Sequence, residues 1–268
     1  MMVDVVTCTS LAEAASALST NRGARFLAGG TLVMRALNEG DQTIHRIVRT
    51  NDPAFRMIQG QGDRVTIGAG VTMSQILGSR DLEFMHPVAR AVGGPAVRNM
   101  ATVGGNLFAP HPYGDLTAAL LATEATVSVA GGYSARDLPL SDLLRDRDRQ
   151  PTQLVASVTV QRPRSPSDLR FLKVTRVKPK GISILSIAVA AGGRSTRVAY
   201  NGMAPAPMRA LAVERALEGK TLDATGIAPA LAVAAEGTSP VDDAIASAWY
   251  RREVLPVHLR RLLLGESA

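Results

Sequence analysis

Two glycine pairs constrain this chain more than any other feature: Ala28-Gly29-Gly30-Thr31-Leu32 and, roughly seventy residues later, Thr102-Val103-Gly104-Gly105-Asn106. A Gly-Gly step lets the backbone come close to a ligand or to another backbone, with N–H groups able to point at an anion. A threonine beside each pair adds a hydroxyl donor, and Asp115 follows the second pair. One such loop would be a turn. Two of the same chemistry predict a diphosphate held from both sides.

With 268 residues, 46% hydrophobic and 20% charged, the chain can bury a full core as one large or two modest domains. The longest apolar stretch, Ile182 to Ala191, is interrupted by Ser183 and Ser186, so no membrane span is predicted. The first residues lack a basic segment leading into an apolar block, and a cytoplasmic location is the expectation. A single cysteine, Cys8, excludes an internal disulfide, a CxxC pair and an iron–sulfur cluster held by this chain alone. His45, His86, His111 and His258 show no metal-ligand spacing, so no metal site is expected. Redox chemistry would then require an organic cofactor. The net charge of +7 could suit nucleic acid, but aromatics are only 4% and the basic residues are scattered. Attraction to an anionic cofactor or to acidic partner subunits is the preferred reading.

Along the chain, short strands and helices alternate first. Leu11 to Leu18 reads as a helix that Thr9 or Ser10 could cap, and Arg25-Phe26-Leu27 as a strand entering the first glycine loop. Val33 to Leu37 and Met73 to Leu77 read as helices, and Arg64 to Ile67, Thr126 to Ala130 and Leu154 to Val160 as strands. Leu116 to Ala122 reads as a helix, with Asp115 either its cap or a ligand-binding acid. Arg162-Pro163-Arg164-Ser165-Pro166-Ser167 is the better domain boundary, giving units 1–164 and 165–268. Beyond it, Leu169 to Thr175, Ile184 to Ala190 and Arg197 to Tyr200 are strand-like. Helices are expected at Met208 to Glu218, Ile227 to Glu236 and Ala244 to Leu264, the last kinked or broken at Pro256. The class is α+β.

Gly68-Ala69-Gly70 imitates a dinucleotide fingerprint but lacks its third glycine and the acid about twenty residues on, so a tight strand–helix turn is preferred. Neither a P-loop nor a GxSxG elbow occurs, which leaves kinase and serine-hydrolase chemistry without support. His111, between two prolines, is expected to be solvated.

Three blocks carry a family resemblance: Phe26-Leu27-Ala28-Gly29-Gly30-Thr31, Ile67-Gly68-Ala69-Gly70-Val71-Thr72, and Val97 through Asn106 to Asp115-Leu116. Together they resemble the FAD-binding medium subunit of molybdenum hydroxylases. Asn201-Gly202-Met203-Ala204-Pro205-Ala206-Pro207-Met208-Arg209-Ala210, Leu217-Glu218-Gly219 and Ala246 to Arg252 agree, so the resemblance spans nearly the whole chain. It implies a PCMH-type, vanillyl-alcohol-oxidase-like fold of two α+β subdomains around FAD, then a small domain pairing a three-stranded antiparallel sheet with helices. It also implies FAD contacts from Leu27, Ala28, Gly29, Gly30, Thr31 and Leu32, and from Thr102, Val103, Gly104, Gly105 and Asn106. Asp115 matches an acid that binds FAD, and Lys173 a basic residue near the flavin. Val92 and Val155 match apolar contacts, and Ile182 an aliphatic cover of the isoalloxazine ring. No residue of the chain is implied to be catalytic.

The implied function is electron transfer. A large partner subunit would carry the molybdenum cofactor and a small one two [2Fe-2S] clusters, as a dimer of heterotrimers. FAD would pass the electrons to an external acceptor. A stand-alone flavoprotein oxidase or reductase of the same fold and a basic nucleic-acid-binding module are the competing readings. Two departures from the family pattern stand out. Leu32 replaces an acid usual after the threonine, and Lys178-Pro179-Lys180-Gly181 is basic where acids are frequent. Positive charge near a flavin stabilises its anionic reduced forms. Lys180→Asp is therefore expected to lower the flavin midpoint potential in a potentiometric titration; an unchanged potential contradicts that electrostatic reading.

Overall fold

The computed structural model describes residues 3–131, 135–147, 152–177, 181–193 and 195–266. The first sheet is parallel, in the order β1-β3-β2, from β1 (Asp4–Cys8), β2 (Ala24–Phe26) and β3 (Arg46–Thr50). Helix Leu11–Ser19 makes the crossover, and Ser10 caps it by accepting from Glu13 N. Cys8, Ala14, Ala15, Leu18, Ala24 and Val48 form a small core between this helix and the sheet.

The second sheet is antiparallel, in the order β4-β5-β8-β6-β7. Its strands are β4 (Ile58–Gln61), β5 (Arg64–Gly68), β6 (Thr126–Ala130), β7 (Arg136–Pro139) and β8 (Leu154–Gln161). Gly68-Ala69-Gly70 at the end of β5 is a packing turn. A Cβ on Gly70 would lie 2.3 Å from the Phe55 ring, and one on Gly68 would lie 2.5 Å from the Phe55 carbonyl oxygen. The expectation of a tight strand–helix turn there holds.

The third sheet is antiparallel too, from β9 (Leu169–Thr175), β10 (Ser183–Ala190) and β11 (Arg197–Asn201). A two-residue strand, β12 (Met208–Arg209), extends one edge. Its central strand β10 is covered on both faces. Leu185, Ile187 and Val189 enter the C-terminal core with Val198, Tyr200 and Leu255. The alternate position Ala188, with Ala199 of β11, enters the main core. Small side chains on that face let helix Asp115–Ala122 pack closely, and every residue of that helix is buried. The main core therefore runs across from the second sheet to the third.

Three helix expectations need correction. The helix expected over Met208 to Glu218 begins only at Leu211. Met208 and Arg209 pair with Tyr200 and Ala199, and Ala210 N donates to Val198 O, so the sheet edge takes that backbone. The helix expected over Ile227 to Glu236 is confined to Ala228–Ala232. The last helix spans Ala248–Leu264, capped by Ser247, because Asp243 draws the N–H groups of Ile245 and Ala246 into a turn. Pro256 does not break it. Buried Leu255 and Leu259 anchor the helix on either side, and Arg252, whose carbonyl loses its helical partner, is exposed to water. No described helix is long and apolar enough to cross a membrane.

Candidate functional site

The first glycine loop leaves the sheet after one last bond, Leu27 N to Val48 O at 2.8 Å. Gly30 turns the chain with φ +75°, a conformation that L side chains rarely adopt. Among the described residues, the N–H groups of Ala28, Gly29, Gly30, Thr31 and Leu32 donate to no internal acceptor. All five residues are half-buried. Leu32 occupies the N-cap of helix Val33–Asn38 and has no side-chain oxygen to close the helix end. Unpaired amides in a half-buried loop are costly unless a ligand or water accepts from them, and successive ones form an anion-binding concavity.

The second loop is built differently. Thr102 caps a five-residue helix, Val103–Leu107, and the amides of Val103 to Asn106 are already engaged. Val103 N donates to Val71 O, Gly104 N to Ala69 O, Gly105 N to Thr102 Oγ1 and Asn106 N to Thr102 O, all within 3.1 Å. The Asn106 side-chain amide also turns back to Thr102 O at 2.9 Å. The two loops are therefore unequal as anion binders, contrary to their shared sequence chemistry. The glycines of the second serve close approach instead. Gly104 is buried, and a Cβ there would lie 3.0 Å from the Ala69 methyl. Gly105 is exposed, and an added Cβ would meet only Thr102 Oγ1. The loops touch each other where a Cβ on Gly29 would lie 1.7 Å from the Met100 carbonyl oxygen.

Beneath them runs a buried polar seam joining the two halves of the chain. Gly114, at φ +119°, takes the N-cap position of helix Asp115–Ala122, which removes the capping role considered for Asp115. The Asp115 carboxylate instead accepts from Ser183 Oγ at 2.6 Å and pairs with Lys173 Nζ at 2.8 Å. Lys173 Nζ also donates to Ala91 O at 3.0 Å. Arg98 Nη1 donates to Gly93 O and Arg90 O, so two cations pin the turn that carries Val92. Asn201 Nδ2 donates to Pro112 O at 2.9 Å and reaches Asp115 Oδ1 at 3.4 Å.

His111 is mostly buried, not solvated as expected. Its Nε2 lies 2.9 Å from Asp243 Oδ2, which also accepts from Arg251 Nη2 at 2.8 Å.

The remaining expected contacts are scattered. Val92 is half-buried on its pinned turn, and Thr31 and Leu32 are half-buried in the first loop. Ile182 is exposed just before β10. Val155 is buried opposite Val129 in β8, with its side chain in the main core. Lys178, Pro179 and Lys180 lie outside the described residues. Ser183, Asn201 and Arg98 were not assigned roles from the sequence, because their partners are fixed only by tertiary contact. Met34 and Met100, both exposed beside the first loop, were missed for the same reason.

The chain is similar to known proteins over its full length. A family model described as the FAD-binding domain in molybdopterin dehydrogenase matches residues 1–163, and the CO dehydrogenase flavoprotein C-terminal domain matches residues 170–265. The glyceraldehyde dehydrogenase medium chain of Sulfolobus acidocaldarius is 28% identical, with 94% of each chain covered. The carbon monoxide dehydrogenase medium chain of Afipia carboxidovorans is 26% identical over 94% of this chain and 92% of that one. Among solved structures, carbon monoxide dehydrogenase from Hydrogenophaga pseudoflava superposes with a TM-score of 0.89 at 22% identity, covering 100% of this chain and 99% of that one. At that identity the superposition shows the fold.

Burial raises the Asp243 pKa, but the N–H groups of Ala246 and Ile245, His111 and the Arg251 guanidinium outweigh it and hold the carboxyl at about 2. A folded-state pKa below the unfolded one stabilises the fold above the unfolded value, and the gain is lost as pH falls through the folded value. Against Asp243→Asn, wild type is expected to hold an advantage of roughly 2 kcal/mol above pH ~4, vanishing near pH ~2. Urea unfolding at several pH values measures it; a pH-independent difference contradicts the pairing.

Proposed function

This chain belongs to the family of FAD-binding medium subunits of molybdenum hydroxylases, and on that footing we propose that it carries electrons within a heteromeric oxidoreductase. The electrons come from iron–sulfur clusters of a small partner subunit, after substrate oxidation at molybdenum in a large one. They leave for an external acceptor, and the assembly is a dimer of heterotrimers. FAD supplies the two-electron chemistry when bound, while the chain supplies position and electrostatics. The division at Arg164 into a cofactor-binding unit and a C-terminal unit is part of the same proposal, and the two family-model matches support it.

The observation that carries this function is the row of five unpaired amides at Ala28 to Leu32, packed edge-on against Met100. In our reading these amides donate to the diphosphate oxygens. Gly105 forms the opposing wall, against which a ligand can lie without meeting a Cβ. Asp115 and Lys173 hold each other and the Val92 turn, so their ion pair orients that turn toward the flavin. With the pair already closed, their contribution to the flavin is a fixed field and a fixed backbone.

Gly105→Val tests the site with little cost to the fold, because the residue is exposed and its only close neighbour is a threonine hydroxyl. Flavin bound per chain, read from absorbance, is expected to fall at least about tenfold, while the thermal midpoint of the flavin-free protein stays unchanged. A variant with full flavin content contradicts the site.

A further inference from the structure

The only tryptophan of the chain is among its most exposed apolar side chains. Trp249 is 68% exposed on the first turn of helix Ala248–Leu264, next to Tyr250. Beside them opens a groove lined by Val174, Ile184 and Ile245, with Arg176, Ser247 and Tyr250 at its walls. Val177, which follows Arg176, is 67% exposed. Exposed aromatic and aliphatic area clustered at a concavity marks a contact surface, and tryptophan, tyrosine and arginine are the residues that anchor one.

The groove is held rigid from below. Arg251 is fully buried and donates to Ile184 O on one side, to Ala246 O and Val241 O on the other, and to Asp243 between them. A clamped groove needs no ordering when it is filled, which favours binding.

Charge selects the occupant. Arg176 and Arg252 are exposed, and neither has an ion-pair partner among the described residues. The local aspartates are engaged: Asp242 accepts from Ala248 N, and Asp243 is held by Arg251 and His111. Glu253 is the one acid in the first two turns of the helix, and the sequence from Arg176 to Ile182 has three basic residues and none acidic. A second copy of a chain with net charge +7 would bring like charges together.

We propose, resting on the heteromeric assembly above, that this groove seats an acidic partner polypeptide of that assembly. An apolar side chain of the partner enters against Trp249 and Tyr250, and its carboxylates meet Arg176 and Arg252. The partner is thereby anchored on the C-terminal unit.

Co-expression of the tagged full chain with the large molybdenum and small iron–sulfur subunits tests this. Hydrogen exchange over 174–177 and 245–250 is expected to slow at least about tenfold in the wild-type complex relative to the chain alone. The double variant Trp249→Ser with Arg176→Glu is expected to keep its FAD and thermal midpoint while recovering at least about tenfold less partner. Arg176→Lys should restore recovery in the presence of Trp249. A double variant that keeps its partner, or unchanged exchange in a complex that does form, overturns the groove and leaves the heteromer standing. Wild-type chain that recovers neither subunit overturns the heteromer and the groove together. Self-association lost with Trp249, or binding of phosphatidylglycerol vesicles through it, also overturns the acidic-polypeptide assignment.

Discussion

Helix Asp115–Ala122 has no exposed residue, and much of the surrounding architecture follows from burying it. Its apolar faces require cover on all sides. Helices His86–Ala91, Val103–Leu107 and Leu140–Asp146 supply part of that cover, and the small residues Ala188 and Ala199 of the third sheet supply another part. Its charged first residue must then be neutralised in the interior, because an unpaired buried carboxylate is too costly to keep. Lys173, Ser183 and Asn201 come from three strands of the other half of the chain to do this. One buried carboxylate thus ties the two halves, and through Lys173 it also fixes the carbonyl of Ala91.

The glycine loops sit on this base with divided labour. The second loop spends the amides of Val103 to Asn106 internally and leaves Gly105 exposed. The first keeps its amides unspent, and Leu32 leaves the following helix uncapped. Where relatives are expected to carry an acid, that leucine removes both a side-chain cap and a negative charge from the concavity. The helix behind it has only six residues, so in the proposed site the unpaired N–H groups, not a helix dipole, would hold the anion.

Much of this was legible in the sequence where the signal is local. A cap at Thr9 or Ser10, the strand Leu169–Thr175 and the turn at Gly68-Ala69-Gly70 follow from patterns within a few residues. What the sequence hid depends on partners far along the chain. Asp115 reads equally as a cap or a ligand until Lys173 and Ser183 are seen beside it. His111 reads as a solvated loop residue until Asp243 arrives from 132 positions away. Met208 and Arg209 follow a proline as a helix start would, yet the open edge of β11 takes them. The inequality of the two glycine loops was illegible for the same reason, since Ala69 and Val71 decide it.

The central claim is that the first loop, and not the second, presents the anion-binding amides. Amide proton shifts during titration of the flavin-free protein with ADP measure this directly. The account predicts large downfield movements for Gly29, Gly30 and Thr31, with those of Gly104 and Asn106 nearly still. Large shifts confined to Gly104 and Asn106, with the first loop unmoved, would contradict it.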